Sequence, residues 1–185
     1  MSPKNLNKAN FDSSLIKKIT KEKYSTQKII NDVKIITLNQ IPTEDGYFLE
    51  LFRLGKDYSL ELFPNFKLKQ VSYSVLEPGS IKAWHTHLFQ DDIWFVPPDK
   101  RLLVGLYDIR ENSKTQSNVM RIVLGANTST LLYIPRGVAH GCSNFSAASI
   151  SLIYMTNKLF KMTDPDEYRL AWDYLGKDFW DAKKG

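Results

Sequence analysis

The sequence predicts an all-β fold, a sandwich or barrel of short strands, and two observations carry that prediction. Segments that alternate apolar and polar residues recur from residue 33 onward, most clearly in Lys-Leu-Lys-Gln-Val-Ser-Tyr-Ser-Val-Leu at 67–76. Turn-forming clusters separate these segments, for example Glu77-Pro78-Gly79 and Pro135-Arg136-Gly137. The composition, 43% hydrophobic and 24% charged, excludes a mostly disordered chain.

Nine segments fit the strand pattern, and one segment near the end fits a helix. The predicted strands cover 33–38, 47–52, 67–76, 81–85, 92–96, 102–107, 119–124, 130–134 and 149–155. The helix is expected over 168–175, because Pro165 and the acidic residues around it favour a helix start. The expected domain is therefore all-β with a short C-terminal helix.

The net charge of +5 is concentrated at the N-terminus. Residues 1–31 hold seven lysines and two acidic residues, so the remainder of the chain has as many acidic as basic residues. We therefore expect a basic, flexible extension over 1–31 and a neutral domain over 32–185. A neutral domain argues against a nucleic-acid partner.

Cysteine content and hydropathy limit the class of protein. Cys142 is the single cysteine, which excludes an intramolecular disulfide and a cysteine-based metal site. No segment approaches the ~20 apolar residues of a membrane span, and the N-terminus lacks the apolar core of a signal peptide. We expect a soluble, cytoplasmic protein without a membrane partner.

The three histidines form the candidate site. His85 and His87 lie two residues apart on a predicted strand, so their side chains project from the same face. His140 follows a turn about 53 positions later. Together with a carboxylate, three imidazoles can bind Fe, Mn, Ni or Zn. Alternatively, one histidine can act as a general base, or all three can serve only as hydrogen-bonding groups of the barrel.

The spacing of these residues matches the two halves of the cupin pattern. Gly79 precedes His85 and His87 in the first half, and the second half runs from Pro135 through Gly137 and His140 to Asn144. Asp91 or Asp92 stands where cupins usually have Glu. The two halves together predict a cupin double-stranded β-helix, the jelly roll.

From residue 31 to residue 180 the chain resembles the dTDP-4-dehydrorhamnose 3,5-epimerase family. The matching segments are 44–50, 82–85, 107–110 with Ser113 and Thr115, 134–141, and 167–172 with Gly176 and Trp180. The resemblance implies a cupin homodimer that works without a cofactor or a metal. It also implies epimerisation of a 4-keto-6-deoxy sugar nucleotide by removal and return of protons next to the ketone.

The resemblance also implies roles for individual residues. His85 matches the family's base, and Tyr154 matches its proton donor. His140 matches a residue that contacts the substrate, and Lys82 stands at a family arginine position. The positions that contact the nucleotide or its diphosphate correspond to Glu50, Gln70 and Glu167. From the pattern alone, Tyr154 is also compatible with a core aromatic, and Glu167 with a residue that favours a helix start.

The chain departs from the family pattern at several positions. Asp92 stands where the family has the Lys near the ketone, which reverses the charge beside an enolate. Asp45 replaces an Arg, Val104 replaces an Asp, and His87 replaces a Gln. The chain ends at Gly185, before the family's C-terminal Lys-Asp pair, whose Asp orients the base. These departures therefore weaken the prediction of the family's standard reaction more than they weaken the prediction of its fold.

Three hypotheses follow. The first is a nucleotide-sugar epimerase or isomerase with His85 as base and Tyr154 as acid. The second is a metal-dependent cupin enzyme that uses His85, His87 and His140 with Asp91 or Asp92. The third is a cupin that binds a sugar nucleotide without catalysis.

Overall fold

The structure, a computed structural model, describes residue 7, residues 11–22, residue 26 and residues 28–183. Thirteen residues of the predicted basic extension, residues 1–31, lie outside the described residues. Within it, the helix α1 spans Ser13–Ile16 and is capped by the Asp12 side chain. Ile30 is buried in the main core, and the Asn31 amide donates to Thr115 Oγ1 over 2.9 Å. The division of the chain at residue 31 stays a prediction.

The described part of the chain forms fourteen strands and a C-terminal 3-10 helix. The strands are β1 Lys34–Thr37, β2 Gln40–Thr43, β3 Gly46–Leu49, β4 Ser59–Leu60, β5 Phe63–Lys67, β6 Gln70–Leu76, β7 Ile81–Thr86, β8 Asp92–Phe95, β9 Arg101–Asp108, β10 Val119–Gly125, β11 Thr130–Ile134, β12 Val138–Ser143, β13 Ile150–Thr156 and β14 Tyr168–Arg169; the 3-10 helix is Lys177–Trp180. None of the described helices is long and apolar enough to cross a membrane.

Ten of the strands make two five-stranded sheets. One sheet has the order β1-β11-β8-β13-β6, the other has the order β10-β9-β12-β7-β14, and β2–β3 and β4–β5 are separate hairpins. The pairings within both sheets are antiparallel. This arrangement confirms the predicted all-β jelly roll.

The C-terminal helix does not lie where the sequence predicted it. The segment expected to be helical, 168–175, begins with β14, which pairs with β7 so that Arg169 lies opposite His85. The helical turn follows later, at Lys177–Trp180. Main-chain pairing with a sheet edge therefore outweighs the local helix-start signal around Pro165.

β12 was not predicted although it carries His140. All six of its residues, Val-Ala-His-Gly-Cys-Ser, are buried, so they show no alternation of apolar and polar side chains. Buried strands read as continuous runs rather than as alternating ones. Ala, Gly and Ser add little strand propensity to that run.

Apolar clusters lie between the two sheets and on the outer face of each. On β8, Trp94 points into the core between the sheets. Ile93 and Phe95 point outward and are covered by Phe63 and Phe66 of β5. On the other sheet, Trp180 of the 3-10 helix covers Trp84 of β7, with ring centroids 4.7 Å apart. Both sheets are therefore held rigidly from two sides, which favours accurate positioning of side chains that face the interior.

Candidate active site

A cavity of about 770 Å³ lies between the two sheets and is bounded by the segment before β14. Six of the seven predicted catalytic and substrate-binding residues line it: Gln70, Lys82, His85, His140, Tyr154 and Glu167. Glu50 does not. It follows the β2–β3 hairpin, pairs with Arg53 at 2.7 Å, and lies in a separate cavity of about 320 Å³.

His85 faces the cavity with one ring nitrogen paired and the other without a partner. Its Nδ1 lies 3.4 Å from Glu167 Oε1, because the pairing of β14 with β7 brings the residue before β14 alongside His85. Its Nε2 is buried and has no hydrogen-bond partner within the described part of the chain. Burial lowers the pKa of His85. The ring is therefore a neutral imidazole with a lone pair available to a ligand.

Glu167 is held as a carboxylate beside that histidine. Arg169 Nε and Nη2 both donate to Glu167 Oε1, at 3.0 and 2.5 Å. Burial raises the pKa of Glu167, but the Arg169 hydrogen bonds and the nearby His85 outweigh it, so the net shift is downward. The Glu167 carboxylate can stabilise His85 when that ring gains a proton.

A second group of side chains, the histidine–aspartate cluster, consists of His87, Asp92 and His140. Asp92 Oδ2 lies 3.9 Å from His87 Nε2 and 3.7 Å from His140 Nε2. Asp92 is 4% exposed, and burial raises its pKa. Burial also lowers the pKa of His140 to about 3. The cluster is therefore a buried polar centre in the wall of the cavity.

Polar neighbours hold the Asp92 carboxylate in place. The side-chain amide of Gln90 donates to Asp92 Oδ1 at 2.8 Å, and Trp94 Nε1 donates to Oδ2 at 3.2 Å. The same Gln90 amide nitrogen lies 3.4 Å from His87 Nε2. Trp94 also meets the His140 ring edge to face, with centroids 5.3 Å apart.

Backbone carbonyls set the tautomers of both histidines in the cluster. His140 Nδ1 lies 3.0 Å from the Val138 carbonyl oxygen, and His87 Nδ1 is hydrogen-bonded to the Asp166 carbonyl oxygen. A carbonyl only accepts, so each Nδ1 carries a proton, and Nε2 is the ring nitrogen that can offer a lone pair. Both lone-pair nitrogens face Asp92.

Asp91 does not join the histidines, although the sequence offered it as an alternative metal ligand. Its carboxylate accepts from Arg136 Nε and Nη2 at 2.9 and 2.8 Å and from Asn157 Nδ2 at 2.8 Å. His85, from the same predicted ligand set, faces Glu167. The donor atoms that do gather, all within 4.8 Å of one another, belong to His87, Asp92 and His140.

The remaining predicted residues take different positions around the cavity. Tyr154 is half-buried, packing against the main core and also lining the cavity. Lys82 Nζ donates to Ser74 Oγ at 2.8 Å. Gln70 donates from its side-chain amide to Ser72 Oγ, and its amide oxygen accepts from the Phe160 backbone.

Three basic residues of the cavity were not predicted from the sequence: Lys158, Lys161 and Arg169. They lie after β13 and in β14, a stretch without a recognisable binding motif. Only the path of the chain back over the cavity reveals that they face it. The local sequence offered one indication for Arg169: it lies two residues from Glu167 and has the opposite charge, so the two side chains can pair.

The chain is similar to proteins of sugar metabolism. The family model for dTDP-4-dehydrorhamnose 3,5-epimerase matches residues 27–176. The spore coat polysaccharide biosynthesis protein SpsL of Bacillus subtilis is 39% identical over 145 residues, which cover 78% of this chain and 91% of that protein. The probable low-salt glycan biosynthesis epimerase Agl13 of Haloferax volcanii is 33% identical over 144 residues, which cover 78% and 89%.

A solved structure agrees with this similarity at the level of the fold. The dTDP-6-deoxy-D-glucose-3,5-epimerase RmlC of Legionella pneumophila, crystallised with dTDP-4-keto-L-rhamnose, superposes with a TM-score of 0.70 at 23% identity. The superposition covers 85% of this chain and 83% of that one. On the extent of the family match, the chain belongs to the dTDP-4-dehydrorhamnose 3,5-epimerase family of sugar-nucleotide epimerases.

Proposed function

We propose that the protein epimerises a 4-keto-6-deoxy sugar nucleotide, with His85 as the base and Tyr154 as the acid. The observation that carries this proposal is the state of His85 in the cavity, with Nδ1 beside Glu167 and Nε2 unpartnered. The related Legionella enzyme was crystallised with a ligand of this class, which supports the choice of substrate.

The environment of His85 suits proton abstraction next to a ketone. Such protons are weakly acidic, so removal needs a neutral base and a way to stabilise the protonated base. Burial keeps the imidazole neutral, and Glu167 lies beside the nitrogen that carries its proton. After Nε2 takes the substrate proton, the Glu167 carboxylate stabilises the imidazolium.

Base and acid lie on different sheets. His85 belongs to β7, in the sheet that contains β12, whereas Tyr154 belongs to β13, in the sheet that contains β8. Inversion at a carbon requires a proton to leave from one face and another to arrive at the opposite face. Two groups on facing sheets with the substrate between them meet that requirement.

Basic side chains suit the diphosphate of a sugar nucleotide. Lys82, Lys158, Lys161 and Arg169 line the cavity, and cationic donors bind phosphate oxygens through charge-assisted hydrogen bonds. Gln70 and His140 add polar groups to the cavity from opposite sheets. Glu50 lies outside this cavity, and the contact with the nucleotide implied for it stays a prediction, as do the homodimer and the cytoplasmic location.

Deuterium exchange tests the proposal. We expect dTDP-4-keto-6-deoxyglucose, incubated with the protein in deuterated water, to gain deuterium at C3 or C5, as measured by NMR. General acid–base catalysis contributes about 10²–10⁴-fold, so His85→Gln should slow exchange by that range. Tyr154→Phe should reduce the inverted product.

The control is Tyr73→Phe. Tyr73 is on the neighbouring strand β6, 65% exposed and hydrogen-bonded to Ser151 Oγ, and it does not line the cavity. This variant should match the wild type. Binding of the nucleotide sugar without any exchange would favour the non-catalytic alternative and refute the epimerase proposal.

A further inference from the structure

We propose that the histidine–aspartate cluster is a binding site for a divalent transition-metal ion such as Zn²⁺ or Fe²⁺. The ligands are His87 Nε2, His140 Nε2 and an Asp92 carboxylate oxygen. His85 is not among them, and its ring centroid lies 6.2 Å from that of His140, so the site adjoins the base of the proposed reaction without including it. The inference goes beyond the proposed epimerisation, since an ion can bind whether or not the chain is catalytic.

The donor separations suit a single ion. With metal–nitrogen and metal–oxygen bonds of about 2.0–2.2 Å, the donor atoms of a tetrahedral site lie about 3.3–3.6 Å apart. The two distances from Asp92 Oδ2, 3.9 Å and 3.7 Å, are longer than that by about 0.6 Å at most. All donors lie within 4.8 Å of one another, so the two histidine nitrogens need to approach each other by up to about 1.5 Å when an ion binds.

The histidines are oriented as metal ligands usually are. A ligating imidazole commonly donates its other N–H to a carbonyl or carboxylate, which sets its tautomer and orientation. Here the Val138 and Asp166 carbonyls occupy those positions. Both Nε2 lone pairs are thereby directed toward Asp92 before any ion arrives.

A second interaction stabilises the position of His87. The Asp166 carboxylate accepts hydrogen bonds from the backbone amides of Leu88, Phe89 and Gln90, at 2.9, 2.7 and 2.9 Å. The turn after β7 is therefore held against the segment whose carbonyl orients the His87 ring. Asp92 and His140 lie on β8 and β12, two strands whose residues are all buried.

The charge of the cluster also suits a cation. Asp92 is almost completely buried, and its ion-pair contacts within the described ranges are with His87 and His140, not with a lysine or arginine. A buried carboxylate without a cation is costly, and metal coordination is one of the ways in which proteins satisfy it. Asp91, the preceding residue, forms an ion pair with Arg136 instead.

Two histidines and one carboxylate leave coordination positions open. This donor set is typical of catalytic zinc and of non-haem iron, in which water or substrate completes the coordination. All three residues line the cavity, so the open positions face the space where a substrate oxygen would lie. The Gln90 amide, 3.4 Å from His87 Nε2, would give up that contact to the ion.

Metal titration tests the site. Protein prepared without a histidine tag and treated with a chelator should bind one Zn²⁺ per chain in calorimetry. With Co²⁺ as a probe, it should develop visible absorption bands. We expect His87→Gln and Asp92→Asn to weaken Zn²⁺ binding at least ~100-fold, since each removes one of the three ligands.

Two matched variants separate this site from its neighbours. His85→Gln and Asp91→Asn should keep the stoichiometry and the Co²⁺ spectrum of the wild type, because neither side chain supplies a donor atom to the cluster. Circular dichroism verifies that each variant is folded, and Asp92→Asn is the decisive variant because it barely changes the side-chain volume.

The two proposals fail in different ways. No Zn²⁺ or Co²⁺ binding, or binding that Asp92→Asn leaves unchanged, overturns the metal site while deuterium exchange can still be measured. A His85→Gln variant that loses exchange but still binds one ion per chain supports both proposals. Zn²⁺ binding by a protein that catalyses no exchange supports the metal site alone.

Discussion

Asp91 and Asp92 are neighbours in the chain, but the first is held by an arginine and the second faces two histidines. Asp91, Arg136 and Asn157 form an ion-paired anchor on one side of β8, whereas Asp92 points to the cavity. Successive residues of an extended chain point to opposite faces, so one step along the backbone separates the two environments. Adjacency in sequence therefore says little about shared chemistry in this barrel.

The two carboxylates respond oppositely to burial. Burial raises the pKa of Asp91, but the Arg136 and Asn157 hydrogen bonds outweigh it, so the net shift is downward. For Asp92, burial dominates and the pKa is raised. The anchor is therefore a stabilising ion pair, and the histidine–aspartate cluster holds a group that is costly to ionise without a cation.

The anchor also supports the site from outside. Arg136 lies just before β12, which carries His140, and Asn157 lies just after β13, which carries Tyr154. The Asp91 carboxylate bonds to both, and its own backbone amide donates to Asn157 Oδ1 at 2.8 Å. The ends of three strands that present cavity residues are thereby tied together.

The largest expected effect contrasts the two positions directly. Asp91→Asn should lower the free energy of unfolding by about 2 kcal/mol, because it leaves Arg136 without its bidentate partner. In chelator-treated protein, Asp92→Asn should change it by less than about 1 kcal/mol, because it removes a buried carboxylate that has no cation. Urea denaturation measures both values. Equal losses at the two positions would refute the contrast.

A smaller effect is expected at Glu167, which acts on the substrate only through His85. Glu167→Gln should slow deuterium exchange by roughly tenfold, since a neutral amide stabilises the imidazolium less than a carboxylate does. Zn²⁺ binding should not change. Glu77→Gln is the control, because the Glu77 carboxylate accepts from Ser149 Oγ and does not line the cavity. Equal exchange rates in the two variants would exclude a role for the Glu167 charge.

The smallest expected effect is in the pH dependence of stability. A carboxyl group whose pKa is depressed in the folded state stabilises the fold above its unfolded pKa, and this contribution is lost as pH falls through the folded value. The pKa values of Asp91 and Asp108 are both lowered. We therefore expect the melting temperature to decrease as the pH is lowered below about 4. In Asp91→Asn the acid-side slope should be shallower, and an identical slope would contradict the assignment.

Much of the barrel was predictable because its strands either alternate or, like the fully buried β8, are rich in residues of high strand propensity. Each of the nine predicted strands overlaps an observed one, and the strand 130–134 has the observed limits. Four observed strands were not predicted: the short hairpin strands β2 and β4, and the barrel strands β12 and β14. The two barrel strands were missed for related reasons. β12 is buried on both faces and shows no alternation, and β14 is a strand only because it pairs with the edge of β7. In both places tertiary contacts outweigh the local pattern.

The candidate site likewise has features that the sequence predicts and features that only the tertiary structure determines. The sequence by itself made the histidines candidates through their spacing, and its resemblance to the epimerase family added Tyr154 and Glu167. Only the tertiary structure decided that Asp92 rather than Asp91 faces the histidines, that His85 turns to Glu167, and that Glu50 lies elsewhere. Spacing along a strand indicates which side chains share a face, but the partners on that face come from distant segments whose position depends on the packed barrel.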